Sequence, residues 1–487
     1  MKLEEIINQK ETKDVIRALK SGRQTALPDI DAAKRSINPQ LHAINDPLIR
    51  KDKLVKVDTD DGNTQQIITV DNGAGTFRIE KVARIKLALQ KLIIKRSVAF
   101  LFGNNAVYGT ETENSQQELV IGAFKRILRD NKCSAIDREI ARTIFGYKEC
   151  AELWYPVPLQ RQNNRYGFPC SFKLRCAIFS PEKGDTLYPY FDETGDMTAF
   201  SRAYSRKDKE DRQIEYFETY TENSHYLFVR QQSEGEYAIA QGYPKKNPIG
   251  KIPIVYGYQD HFETEDVDSL IDRLELLLSN FADTNDYHAS PKIFVTGQIN
   301  GWSKKGESGA VIEGEEGATM QYVSWQNAPE SVKLEIETLL KLIYTITQTP
   351  DISFESVKGI GAISGLALKL LFMDAHLKIQ DKREIFDDYL QRRANVIKAY
   401  IGQFNTQLEA VCDEMDIEPK ITPYMLTNEL DELNYWLTAN GNKPIVSQEE
   451  SIEKSGISNN PKETYEKLKD EESRQNSFLI GEPVMEA

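Results

Sequence analysis

The sequence predicts an α+β protein with long helices, an antiparallel sheet and a small β-rich unit inserted between two helices. Three observations lead there. From about Ser331 to Glu414 a short apolar-periodic helix is followed by a glycine-punctuated break and a helical pattern about fifty residues long. From Cys150 to Tyr258 the chain alternates instead, in KLRCAIFS, TLYPYFDETGDMTAFSRAYS and RQIEYFETYTENSHYLFVRQ, with turn pairs at Thr194-Gly195 and Glu234-Gly235. Residues 290–330 carry strand and turn signals (KIFVTG, AVIEGEEG, TMQYVSW) with helical periodicity on both sides.

In chain order, the first sixty residues mix short helical patterns with LPDID, INPQL and NDPLI, which reads as an extended arm ordered by its neighbours. Residues 78–102 carry the pattern of an amphipathic helix ending at Gly103, and a strand-like NAVYG follows. Helices at 116–131 and 135–146 lead into the sheet. After KIPIVYGYQD a further helix opens, in which Val267, Leu270, Leu274, Leu277, Leu278 and Phe281 share one stripe. Its other face is acidic, with Asp266, Asp268, Asp272, Glu275, Asp283 and Asp286 set against Arg273 alone. Helical periodicity returns at Val332, Ile336, Leu339, Leu340 and Ile343. The two helices can pair as legs of a stalk that holds 290–330 out, or the unit is an ordinary excursion within a globular domain; periodicity leaves both open.

Pro350 closes the second leg, Gly359 and Gly361 loosen the chain, and Ser364 is a suitable N-cap for the long helix. In that helix Leu366, Leu370, Met373, Leu377, Ile385, Tyr389, Val396, Tyr400, Phe404, Leu408 and Val411 recur mostly at three, four or seven positions. Unbroken, it would span ~75 Å. A compact domain cannot bury such a rod, so either it kinks near Gly402 or neighbouring subunits supply its packing surface. Beyond it, ITPYMLTNELDELNYWLTANG reads as an extended segment and a helix ending at Gly441. The tail is polar and acidic, and its last thirty residues are expected to be weakly ordered.

Composition excludes several functions. At 487 residues, 40% hydrophobic and 28% charged, the chain has room for two to four folded domains. The longest apolar stretch, Leu87 to Phe102, is interrupted by Lys91, Lys95 and Arg96 and is too short for a membrane span; MKLEEIINQK lacks the basic start and apolar run of a signal peptide. Five scattered cysteines suit a reducing compartment, and neither they nor the five dispersed histidines form a metal-ligand pattern. A net charge of −14 opposes tight wrapping of nucleic acid, yet suits a surface that lets a polyanion pass without sticking. GWSKKGESG at Gly301 lacks the terminal Lys-Ser/Thr of a phosphate loop, and GxGxxG, GxSxG and HExxH are absent. Adjacent carboxylates such as Asp60/Asp61, Glu315/Glu316 and Asp387/Asp388 read as solvated faces, so no catalytic residue, metal or cofactor is expected.

Several strings, in collinear order, carry a resemblance. They are IIKRSVAFLFGNNAVYG, FGYKECAELWYPV followed by FSPEKG, GKIPIVYGYQD running into DSLIDRLELLLSNFADTNDYHASPKIFVTG, PDISFESVKGIGAISGLALKLLF, and MLTNELDEL with IVSQEESIEKSGISNNPKETYEKLKDEE. Over residues 75–475 the chain resembles the portal proteins of tailed bacteriophages, in the branch typified by the SPP1 portal. Ser364, Gly365, Ala367 and Leu368 match the family's "SG.Al" at the start of the long helix, while the first 70 residues have no counterpart.

The resemblance implies an N-terminal arm (1–75), a wing (76–262), a first stem helix (263–289), a clip (290–330) and a second stem helix (331–347). A tunnel loop (348–363), a spine helix (364–414), a reduced crown (415–450) and an acidic tail (451–487) follow. It implies a dodecameric ring at one capsid vertex of the virion, assembled in the host cytoplasm, through which double-stranded DNA is packaged and ejected. Terminase large subunit, a head-completion or adaptor protein, and major capsid and scaffold proteins would be its partners, without a membrane or an enzymatic activity. Lys358 is the only base in the loop, and with Ser356, Gly359 and Gly361 it would face DNA while Phe354, Val357 and Ile360 pack loop on loop. Asp266, Asp272, Glu275 and Asp283 would line an acidic stem, and Trp302, Lys304, Lys305 and Trp325 would meet partners at the clip. The alternatives are a head-tail adaptor or scaffold ring without DNA passage, or a DNA-processing enzyme subunit, against which the missing phosphate loop counts.

Overall fold

The computed structural model describes residues 6–7, 11–56, 67–69, 76–231, 235–289, 292–301, 313–314, 317–323, 328–351, 372–424, 434, 437–455 and 460–479. Two compact units result, one of residues 1–352 and 373–424, the other of 353–372 and 425–487.

The first unit opens with helices α1 (Thr12–Ser21) and α2 (Ile30–Ile37). The expected extended arm is instead docked on its own chain. Val15, Ile16 and Leu19 of α1 bury themselves against Ala199, Phe217 and Phe228, and the Asp29 side chain caps α2 through the Ala32 N–H. Strands β1 (Lys53–Lys56), β2 (Ile67–Thr69) and β3 (Thr76–Glu80) form a small antiparallel sheet in the order β1-β3-β2. Helix α3 begins only at Leu89 and ends at Phe102, so the helix expected from residue 78 is shorter by a strand and an extended stretch. The reason is competition for backbone donors: the N–H groups of Val82, Ala83, Ile85 and Leu87 are taken by side chains of Asp52, Asp283, Ser279 and Glu275.

Strand β4 (Val107–Gly109) and helices α4 (Ser115–Asn131) and α5 (Cys133–Tyr147) follow, close to the expected bounds. Strands β5 (Glu149–Asn163) and β6 (Cys170–Phe179) make a long hairpin. Strands β7 (Thr186–Phe191), β8 (Met197–Lys207), β9 (Gln213–Thr221), β10 (Ser224–Arg230), β11 (Ala238–Ile239) and β12 (Lys245–Lys246) form the second sheet. Strand β13 (Ile254–Tyr258) returns to pair with β5, giving the order β13-β5-β6, and every pairing is antiparallel as the alternation predicts. Gly195 takes φ +90 in the turn between β7 and β8, a conformation that glycine adopts without penalty. Glu234 of the other expected turn pair lies outside the described residues.

Helix α6 (Asp268–Ala289) leads to strands β14 (Lys292–Thr296), β15 (Ile299–Gly301), β16 (Glu313–Gly314) and β17 (Thr319–Val323), and helix α7 (Ala328–Ile346) leads back. β14 pairs with β17 and β15 with β16, so a β unit does stand between two helices. The helices pair through Leu274, Leu277, Leu339 and Ile343, with Ile93 of α3 sealing the contact.

Helix α8 is described over Met373–Phe404, 32 residues. Ile397, Ile401 and Phe386 belong to the main core, where Phe386 meets Phe102 and Phe145 edge-on at 5.3 and 5.9 Å. Met373 and Leu377 of the expected stripe are half exposed, at 51% and 54%. The fifty-residue pattern is not one helix: it ends at Phe404, Asn405 caps a 3₁₀ turn (Thr406–Leu408), and α9 (Glu409–Glu414) folds back. Gly402 permits that return, since a Cβ there would lie 3.2 Å from Glu409 Cα. Strand β18 (Glu418–Lys420) then pairs with β4.

In the second unit α10 (Gln448–Ser455) packs on α11 (Pro461–Leu479), so a 19-residue helix occupies most of the tail expected to be weakly ordered.

Candidate functional site

The paired helices α6 and α7 and the two ends of the segment between α7 and α8 form the candidate site. Arg273 of α6 grips Glu335 of α7 through Nε and Nη2 at 2.9 and 2.7 Å, an exposed pair that accompanies the apolar contact between the two helices. On the opposite side of α6, Glu275, Ser279 and Asp283 stand at i, i+4 and i+8. Glu275 Oε1 accepts from Leu87 N (2.6 Å), Ser279 Oγ from Ile85 N (2.9 Å) and Asp283 Oδ1 from Ala83 N (2.8 Å). Four helical residues rise ~6.0 Å and two extended residues ~6.6 Å, so the two rows stay in step over three contacts.

This ladder engages two of the expected channel residues. Glu275 is fully buried, and besides Leu87 it meets His42 Nδ1 at 2.7 Å. Asp283 is engaged by Ala83 and by Arg50 Nη2 at 2.7 Å, while Arg50 also donates to Ala83 O and Asn280. Both carboxylates hold the 83–87 segment on the stem. Asp266 and Asp272 are exposed. Partial desolvation of its carboxyl foremost, and then Glu275, hold Asp272 above its ordinary value, partly opposed by His42.

The His42 ring is nearly enclosed, and its Nε2 faces Ser36 O at 3.0 Å. Both ring nitrogens thus face acceptors, an arrangement that only the doubly protonated imidazolium satisfies. Burial opposes that charge, but the hydrogen bonds to Glu275 and Ser36 and the fields of Glu275 and Asp272 outweigh it, so His42 titrates above its ordinary value.

Helix α7 ends in a Schellman turn: Gln348, at φ +49, donates to Thr345 O and Thr349 donates to Tyr344 O. Two cations then fasten the chain. Arg96 Nη1 donates to Pro350 O at 3.0 Å, and Lys378 Nζ of α8 donates to Thr347 O at 2.7 Å. Lys378 also pairs with Glu263 at 2.6 Å and Lys382 with the same carboxylate at 3.0 Å, while Ser97 Oγ donates to it at 3.2 Å. Burial pushes Glu263 up, but the two lysines overcome it and hold the carboxyl below its usual value; burial holds Lys378 low despite Glu263.

Further along α8, the fully buried Arg393 donates to both oxygens of Glu152 at 2.8 Å and to Asp137, and Trp154 Nε1 adds a bond to Glu152 at 3.0 Å. Helix α8 is thereby tied near its start to the end of α7 and further along to β5 and α5.

Lys358, Ser356, Gly359, Gly361, Phe354, Val357 and Ile360 lie outside the described residues, as do Trp302, Lys304, Lys305 and Trp325. Sequence reasoning missed Glu263, Lys378, Arg96, His42 and Arg393. The i, i+4, i+8 spacing of Glu275, Ser279 and Asp283 was a visible sign of a helix face with a polar partner; the long-range partners of the others left no local mark.

A family model described as "Phage portal protein, SPP1 Gp6-like" matches residues 80–477. The chain belongs to the phage portal protein family. The portal match spans the stem, the β unit, the spine and most of the second unit, and leaves out α1, α2 and β1 to most of β3. As a portal-family member the chain is a structural protein of an oligomeric ring at the capsid vertex. No curated protein matches it. Among solved structures, a chain from "Neck of empty GTA particle computed with C6 symmetry" aligns at 10% identity and a TM-score of 0.39, covering 76% of this chain and 89% of its own, a likeness too loose to carry an argument. Among the described residues no helix is long and apolar enough to cross a membrane.

Proposed function

We propose that twelve copies form a ring whose stem helices surround a channel for double-stranded DNA during packaging and ejection. The observation that supports this best is the pair α6 and α7, carrying a β unit at one end and, at the other, a chain exit pinned by Arg96 and Lys378. Residues 290–330, with Trp302, Lys304, Lys305 and Trp325, are the docking surface for the terminase large subunit and later for a head-completion or adaptor protein. Major capsid and scaffold proteins contact the ring during assembly in the host cytoplasm.

Lys358 gives the ring of loops its positive charge, Ser356, Gly359 and Gly361 bring the backbone near the phosphates, and Phe354, Val357 and Ile360 pack loop on loop. Asp266 and Asp272 supply the acidic lining that keeps DNA from sticking. Lys358→Glu tests this: rings are expected to assemble normally while packaged DNA per particle falls. Packaged DNA of normal length in that variant would remove the loop's role.

A further inference from the structure

A positive patch lies on α4 and the β5–β6 hairpin of this acidic chain. The last two turns of α4 and its cap carry Lys125, Arg126, Arg129 and Lys132. The β5–β6 hairpin adds Arg161, Arg165, Lys173 and Arg175. Within residues 125–132 and 155–176 the sole carboxylate is Asp130, in a chain whose net charge is −14. Asp130 is shared by Arg126 and Arg165, and among the described residues no ion pair engages the other six cations.

The fold builds this concentration. Asn131 at the end of α4 donates to Leu174 O and accepts from Cys176 N, closing α4 onto the free edge of β6. In the hairpin register Tyr155 lies opposite Arg175 and Val157 opposite Lys173, so one face presents two cations beside an exposed aromatic and an exposed aliphatic side chain. Lys173 is held below the ordinary lysine value by partial burial first, and then by Arg175 and Arg165 beside it. Cations in the last turn of a helix complement its dipole, which accounts for Arg129 and Lys132 but not for the hairpin.

We infer that this patch is a second, sequence-independent contact for the phosphate backbone of double-stranded DNA, outside the channel. Uncompensated charge of one sign is the footprint of polyanion binding. Only the choice of duplex DNA as the polyanion rests on the proposed function.

The test is the salt dependence of binding of a short DNA duplex to the assembled wild-type protein and to Arg129→Gln/Lys173→Gln/Arg175→Gln. Loss of three phosphate contacts is expected to lower the slope of log affinity against log salt by about 2.7, so that the gap between wild type and variant widens about 40-fold from about 200 to about 50 mM salt. If the triple variant does not assemble, each single substitution is expected to lower the slope by about 0.9. An unchanged slope and affinity would overturn the inference. Displacement of the duplex by polyglutamate at equal charge concentration would assign the patch to an acidic polypeptide and overturn it too. Normal packaging by Lys358→Glu with this slope change intact would count against the channel loop and leave the patch standing.

Discussion

His42 shows how a single side chain couples the N-terminal segment to the stem. Its pKa is raised in the folded chain, so its contribution to stability is fully present below the ordinary value of about 6.5 and is lost as pH rises through the folded value. The wild type is expected to lose unfolding midpoint, relative to His42→Asn, as pH rises above about 6.5. Parallel midpoints for the two proteins over that range would show that His42 is neutral in the fold. Arg393 is the second such residue. With two carboxylates facing it in the core, Arg393→Ala leaves both uncompensated and is expected to cost about 3–5 kcal/mol. Denaturant unfolding measures that, and a loss under about 1 kcal/mol would mean that water or rearrangement satisfies Glu152 and Asp137.

At the scale of elements, the ladder between α6 and residues 83–87 decides where α3 begins. The apolar periodicity of RIEKVARIKLALQKLIIKRSVAFLF suits a helix throughout, yet Glu275, Ser279 and Asp283 claim alternate N–H groups that a helix would need. Ser279→Ala leaves the Ile85 N–H without its acceptor, at about 1–3 kcal/mol, and is expected to speed amide exchange at Ile85 while α7 stays protected. Unchanged exchange at Ile85 would mean that the ladder does not hold the segment. The sheet, α4, α5 and both stem helices were legible because their own side chains carry the period. The start of α3, the docking of α1 and the break at Asn405 were not, because each depends on a partner distant in the chain. Of the candidate site, the acidic face of α6 was visible, but the buried Glu275 and the part-buried Asp283 fasten residues 83–87 to the helix. Charge alone does not tell which way a carboxylate turns.

At the scale of the molecule, the half-exposed Met373 and Leu377 on the spine leave apolar surface for a neighbour, in keeping with a chain that works in a ring. The rod that seemed too long to bury is shortened by the break at Asn405, and its buried stretch is packed within its own subunit. The side-chain ties from the end of α7 to α8, and from α8 to β5 and α5, run through Lys378, Glu263 and Arg393. Lys378→Met is expected to leave assembly intact and to raise amide exchange at Thr347–Thr349, because it removes the donor to Thr347 O. Protection unchanged there would break that link in the account. The central claim is a ring with an open axial channel, and mass measurement with end-on imaging of the purified protein tests it most directly. Twelve subunits around an open channel is the predicted result; a monomer, or an assembly closed along its axis, would contradict it.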